Sequence, residues 1–555
     1  MKMKKKTVYA LLIILIVFHL INNFVVLKID NIPFVYDTFD NYLHSFLNYK
    51  VFIKNPIGIF NFGDGNLSHS YPPLFYWSTL PLFLLFGITQ DIAVMTNMIF
   101  FAILIFSTYG IGKVMRDEET GLLAAFTVSM FPAIFGFSRV YIVDFLLASM
   151  VSLAIYLLIK TENFKNTKYS ILLGLALGAG MLSKQTFPFY ISFPLLVYLI
   201  FSIKKKEKNW LRNLFFSSLI AIAIFSPWYY VNFKSFSNYA STNPSFRFIV
   251  TDSFVYLKKI YSYQLAPIYS IILLLSLPSF FLLKNKLKYL ITGWLIIPIV
   301  FYTIFFGFKF AKYMLPIFPA VAIIIAINIT NLKRVNNASI KRVYPYILFL
   351  IVCIGIVQFF ISCYYSIGPI QFDHEFHERF QEKGIIKPQT SSFDLNNIFT
   401  NLNIPKDRDI FVIEMADTPP IDTINTEFIL QNFRFFFYSP YKAFDSGLNP
   451  ELIPKDYNFS DIFDRADIII AQDKGDFGSE DIPIDKEIKK KYNAAFFKAF
   501  NDNINKFILV SKTPTGLSPV FNDNINKFIL ISKTPTSLYG ETSIFVYAKE
   551  GLLWK

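Results

Sequence analysis

The chain has 555 residues, 54% of them hydrophobic and 17% charged, which is too apolar for an ordinary soluble protein of this length. Its net charge of +14 does not point to nucleic acid, because the basic residues form short clusters between apolar runs rather than one polar face. The two cysteines, Cys353 and Cys363, fall in one apolar stretch where a helix would hold them ~15 Å apart, which argues against a disulfide and a thiolate metal site.

In chain order, Lys4 to Lys6 precede an apolar run from Val8 to about Leu27. No small-residue cleavage site follows, and the run has the ~20 residues of a bilayer crossing, so a retained first helix is expected. Comparable runs recur and predict about eleven to thirteen spans. The basic gaps set their direction. Lys113 with Arg116, Lys160 to Lys168, Lys204 to Arg212, Lys284 to Lys288 and Lys333 to Arg342 belong with the N-terminus on the inside. A first loop over 28–73, short turns near Arg139 and Lys184, the segment from Val231 to Tyr263 and a turn near Lys309 then fall outside. The run Leu74 to Ile88 would reverse every later assignment if it crossed, so it is expected to be interfacial or re-entrant.

Hydropathy drops from about Ile367. Short apolar runs such as 409–414 and 466–471 between turn residues predict a C-terminal α/β or α+β soluble domain over 367–555, outside the membrane, following a membrane module over 1–366. Residues 500–515 recur almost unchanged at 521–536, a 21-residue tandem duplication within 500–540. Two near-identical copies indicate a local duplication rather than a solenoid.

Several outside positions carry chemistry. On a helix starting near Thr38, Asp40 and His44 lie one turn apart, with Asp37 just ahead, so either acid is a candidate base and Asp40 has the better spacing to the imidazole. Helix capping is the plainer role for such an acid. Asp144 falls in the first outer turn of a membrane helix, where a carboxylate needs a partner or a task, and Arg139 is near enough in sequence to pair with it or to face a phosphate. Lys184, Lys309 and Lys312 oppose the charge bias of their face and suit an anionic ligand, with snorkelling as the bland alternative. His69, Tyr71, Tyr76, Trp77 and Trp228 are interface anchors or the lining of a sugar or prenyl groove. The Asp373 to Glu378 cluster is read as a charged juxtamembrane helix rather than a metal site.

The order of these motifs resembles the GT-C glycosyltransferases, family 39, in the branch of the protein O-mannosyltransferases and the bacterial aminoarabinose transferase. The elements are the acidic stretch Asp37 to His44, a Pro-Pro-aromatic element from Tyr71 to Trp77, Arg139 to Asp144, a Gly-rich helix from Gly174 to Lys184, Pro227-Trp228, and a basic-Tyr-x-x-Pro turn within Lys309 to Pro316. The resemblance covers roughly the first 330 residues. It implies a polytopic plasma-membrane enzyme with the N-terminus in the cytoplasm. Outside the membrane, Asp37 or Asp40 would deprotonate an acceptor hydroxyl that attacks a polyprenyl-phosphate sugar with inversion, with Asp144 organising the site. Arg139, Lys184, Lys309, Lys312 and Tyr313 would hold the donor phosphate, and the acceptor would be a lipid, a glycan or a protein. The family's Asp-Glu pair is absent and no acid precedes Pro72-Pro73, so a divalent cation, if bound, falls to Asp40, His44 and His69. A transporter or lipid flippase would also have many spans, but its charges would enter helix centres, whereas here the distinctive ones gather on one face.

Overall fold

A computed structural model describes residues 5–30, 37–63, 71–242, 254–334, 338–364 and 384–388, together with five strands between 409 and 549. His69, the Asp373 to Glu378 cluster and the second copy of the duplication lie outside the described residues. The chain divides into two compact units, one of residues 1–30 and 40–388 and one of 31–39 and 389–555.

The first unit is helical. Its elements are α1 (Lys5–Ile29), α2 (Asp37–Lys54, whose first three residues group with the other unit), α3 (Leu74–Phe86), α4 (Gln90–Met95), α5 (Asn97–Met115), α6 (Glu118–Ser129), α7 (Pro132–Phe137) and α8 (Val143–Lys160). They continue with α9 (Thr167–Met181), α10 (Phe187–Lys205), α11 (Trp210–Thr242), α12 (Val255–Lys259), α13 (Ala266–Phe281), α14 (Leu287–Phe305), α15 (Phe318–Leu332) and α16 (Ala338–Tyr364).

Side-chain distribution identifies lipid as the solvent. In α1, His19, Asn22 and Asn23 are buried while Ile13, Ile14, Ile21 and Phe24 are exposed. The same inversion puts Phe215, Leu275 and Phe349 outward and Asn213, Ser217 and Ser276 inward. Only hydrocarbon makes that arrangement favourable, since polar groups must then find partners inside the bundle. The protein is a multi-pass membrane protein.

Among the described residues, eight helical segments are long and apolar enough to cross. Two further apolar helices, Leu74–Phe86 and Pro267–Phe281, have 13 and 15 residues, and at ~1.5 Å per residue α3 spans only ~20 Å of a ~30 Å hydrocarbon layer. That length suits the interfacial role expected for 74–88.

Five of the basic clusters assigned to one side do meet at one end of this unit. Arg116 donates to the carbonyls of Ile327 and Thr330, both 2.9 Å, and to the Asn331 side chain, which caps α15. Lys333 pairs with Glu119 at 2.7 Å, Arg334 with Asp117 at 3.3 Å and Lys113 with Glu118 at 2.9 Å. Asn285 donates to the Met115 carbonyl, bringing in the start of α14, and Lys165 lies 3.9 Å from Glu207.

The second unit contains a five-stranded sheet of order β2-β1-β3-β5-β4, with β1 (Asp409–Met415), β2 (Arg434–Tyr438), β3 (Ile468–Gln472), β4 (Phe507–Lys512) and β5 (Ile544–Lys549). Strand β1 is parallel to β2 and β3, and β5 is antiparallel to β3 and β4. The two runs singled out from sequence supply β1 and β3. The first copy of the duplication supplies β4, with a register shift between Leu509 and Ser511.

The first unit extends beyond the expected boundary at 366 because 384–388 is clipped onto it. The Ile385 N–H donates to the Gly136 carbonyl at 3.0 Å. Gly384 has φ of 75° and lies so close to Gly136 that a β-carbon there would meet the Gly136 carbonyl carbon at 2.4 Å. Only glycine satisfies both conditions.

Candidate active site

Four loops converge at the other end of the helical unit. The turn after α9 ends in Ser183-Lys184, and it is fixed from two sides: the Leu74 N–H at the start of α3 donates to the Leu182 carbonyl at 3.1 Å, and the Tyr229 hydroxyl of α11 donates to the Met181 carbonyl at 3.1 Å. Close approach of α9 and α11 explains the glycine-rich sequence. A β-carbon on Gly174 would meet the Ser217 carbonyl oxygen at 2.6 Å, and one on Gly178 would meet Ile224 at 2.7 Å.

Lys184 reaches from this turn to Asp144, in the first turn of α8, with Nζ 2.7 Å from Oδ1. Both side chains are more than nine-tenths buried. The Lys184 ammonium also lies over the rings of Tyr71, at 5.3 Å, and Tyr313, at 5.4 Å. An ion pair removed from water and set between two phenols is costly to desolvate and strongly felt by any charge that enters.

Tyr313 stands in the turn Ala311–Ile317, held by three neighbours: the Tyr190 hydroxyl donates to the Tyr313 carbonyl at 2.7 Å, Gln264 to the Ala311 carbonyl at 2.7 Å, and the Trp294 indole to the Pro316 carbonyl at 2.9 Å. Its ring stacks on Tyr302 at 5.2 Å, which stacks in turn on Tyr190 at 5.6 Å. Lys312, 2% exposed, lies 5.3 Å over Phe310. Lys309 caps α14 through the carbonyls of Tyr302, Thr303 and Phe306. Burial lowers its affinity for a proton.

The acidic stretch opens α2, whose buried polar stripe Asn41, Ser45 and Asn48 docks it. Asn41 donates to the Tyr141 carbonyl at 3.3 Å, the Ser45 and Tyr141 hydroxyls are 2.6 Å apart, and the Trp77 indole donates to Asn48 at 3.2 Å. The Tyr141 hydroxyl also bonds Thr79 of α3 at 2.5 Å, and burial pushes its pKa up, so it stays a neutral hydroxyl able to donate once and accept once. None of the sequence motifs marks this latch. The polar spacing of 41, 45 and 48 along a helix is the signal that could have found it. Asp40, next to Asn41, is exposed, and Asp37 is half-buried. His44 packs its ring 5.4 Å from that of Tyr76.

Two expectations change. Asp144 pairs with Lys184, 40 residues away, rather than with Arg139. Nor does Arg139 face a phosphate. Its guanidinium is fully buried and bonds inward, to Asn23 at 2.9 Å, to the carbonyls of Ile385 and Ile386 at 3.1 and 2.8 Å, and to the Cys363 sulfur, between the rings of Phe135 and Phe359. Tyr76 and Trp228 are each 1% exposed. Among the described residues, no three of His, Cys, Asp and Glu come together around a metal position. Asp40 and His44 share α2.

Residues 70–231 match the family model of the dolichyl-phosphate-mannose-protein mannosyltransferases. Over that stretch the chain is similar to this family, and beyond it the likeness to solved structures is one of fold. The fold agrees. It is similar to ArnT from Cupriavidus metallidurans bound to undecaprenyl phosphate, with a TM-score of 0.56, 13% identity and coverage of 84% of this chain and 93% of that one. It is also similar to the archaeal oligosaccharyltransferase AglB from Archaeoglobus fulgidus in complex with an inhibitory peptide and a dolichol-phosphate, with a TM-score of 0.50, 10% identity and coverage of 96% and 88%. An uncharacterized protein of Aquifex aeolicus is 27% identical over 280 residues, 48% of this chain, and the match spans 62% of that relative's length. The family match takes in Tyr71, Asp144 and Lys184. Asp40 and Tyr313 fall outside it.

Proposed function

We propose that this protein transfers a sugar from a polyprenyl-phosphate donor to an acceptor hydroxyl on the extracytoplasmic face of the membrane, with inversion at the anomeric carbon. The observation that carries the proposal is the buried Lys184 and Asp144 pair between Tyr71 and Tyr313, at the end of the bundle away from the basic clusters. The positive-inside rule then assigns that end to the outside.

In this mechanism Asp40, or Asp37 on the same helix, takes the proton from the acceptor hydroxyl. The oxygen attacks the anomeric carbon as the bond to the phosphate oxygen breaks, and the bonding pair leaves with polyprenyl phosphate. Lys184 is poised to exchange part of its contact with Asp144 for the departing phosphate, with Lys312, Lys309 and Tyr313 on the neighbouring turn adding positive charge and a hydroxyl donor. Asp144 keeps Lys184 aimed. Arg139 has no direct part and instead holds the turn that leads into α8. Lipid-phosphate ligands in the ArnT and AglB structures support this choice of donor.

Purified protein given a radiolabelled polyprenyl-phosphate sugar should release or transfer the label. Donor-independent movement of a labelled solute across liposomes, without turnover of the lipid-linked sugar, would instead favour a transporter.

A further inference from the structure

At the basic end, away from Lys184 and Asp144, the helical unit contains a half-open cavity of about 360 Å³ that the transfer reaction does not use. Four lysines line it, Lys165, Lys204, Lys205 and Lys286, against two glutamates, Glu162 and Glu207. Lys165 lies 3.9 Å from Glu207. Lys204, Lys205 and Lys286 have no carboxylate partner among the described residues. Val114, Ile159, Phe201 and Leu287 give it an apolar wall.

The rim is built with strain. Glu162, Asn163 and Phe164 are three consecutive non-glycine residues in left-handed conformation, with φ of 51°, 62° and 59°. Such a run is unfavourable and persists only where the surroundings impose it. Tyr198 imposes it here: its hydroxyl accepts the Asn163 N–H and donates to the Ile159 carbonyl, both at 3.0 Å. From the other side the Asn213 amide donates to the carbonyls of Phe164 and Lys165 at 2.7 and 3.2 Å. The loop thus turns back over the cavity, with Lys165 on its edge.

We propose that this cavity is a binding site for a phosphate ester, and that its occupant is the headgroup of an anionic membrane lipid. A phosphate meets Lys204, Lys205 and Lys286 at the rim as point charges. The apolar wall accommodates the glycerol and the first methylenes, and the neighbouring lipid-facing side chains of Ile203 and Leu282 carry the acyl chains away from the bundle. A soluble polyanion would gain nothing from that wall.

The test uses the full-length protein in nanodiscs that contain a phosphatidylglycerol probe, with bound lipid read by native mass spectrometry. The variant K204Q/K205Q/K286Q should bind the probe more weakly, by about fivefold for each lysine removed. K204R/K205R/K286R should retain binding, which separates charge from misfolding. K168Q/K208Q, which removes charge at the same end but outside the cavity, should change it less than about twofold. Competition by millimolar inorganic phosphate would assign the site to free phosphate, and resistance to it would assign a lipid headgroup. Equal losses in the cavity and control variants, or no loss in either, would overturn the proposal.

Discussion

The two ends of the helical unit handle charge in opposite ways. At the basic end, Lys333, Arg334 and Lys113 meet Glu119, Asp117 and Glu118 with side chains that stay about a quarter to two-thirds exposed. Water and salt screen such pairs, and their net contribution is small. At the other end, Lys184 and Asp144 are almost wholly removed from solvent and flanked by phenol rings. An isolated pair there is weak evidence for stability and stronger evidence for a task, because two well-packed apolar side chains would hold the fold as well. On the proposed reading, the basic end faces the cytoplasm and the buried pair meets an anion.

The sharpest way to break this comparison is to remove one partner of the buried pair. Lys184→Met should lower sugar transfer by at least about a hundredfold and destabilise the protein by about 3 to 5 kcal/mol, by leaving Asp144 unpaired. Asp144→Asn added to Lys184→Met should recover thermal stability in a detergent melt without recovering activity. Recovery of both would make the pair merely structural.

Arg139→Met comes next. It abandons the carbonyls of Ile385 and Ile386, and about 3 kcal/mol of stability should be lost. Hydrogen exchange at 384–388 should accelerate while the KM for the lipid-linked donor stays unchanged. A large rise in that KM would return Arg139 to the phosphate.

Tyr141→Phe removes the hydroxyl shared by Ser45 and Thr79, at a cost of about 1 to 3 kcal/mol. Because α2 carries Asp40, kcat should fall more than the KM for the donor changes. Lys333→Gln, at the basic end, should change stability by less than about 1 kcal/mol and leave transfer unaffected. A strong effect on activity there would erase the distinction between the ends.

Much of this organisation was legible in the sequence because lipid constrains it so tightly. Apolar length gave the long spans, and lysine clusters such as Lys113 with Arg116 and Lys333 with Arg334 identified gaps that do share one end. Asp144, Lys184 and Tyr313 were also marked beforehand, since charge near a membrane helix end needs a reason. Partner choice was not legible. Arg139 lies five residues from Asp144 but bonds to Asn23, Ile385 and Ile386, more than 110 residues away on either side, and nothing local in the sequence encodes that distance. The burial of Tyr76 and Trp228 was not legible either. Aromatic residues near a membrane boundary line grooves and fill cores with the same composition, and only burial separates the two.

The central proposal is that a carboxylate on α2 performs base catalysis. The direct measurement is turnover of a purified polyprenyl-phosphate sugar by wild type, Asp40→Asn and Asp37→Asn, with folding of each checked by its melting curve. The account predicts that at least one variant, Asp40→Asn first, loses transfer by about a hundredfold or more while melting like the wild type. Full activity in both variants would contradict it.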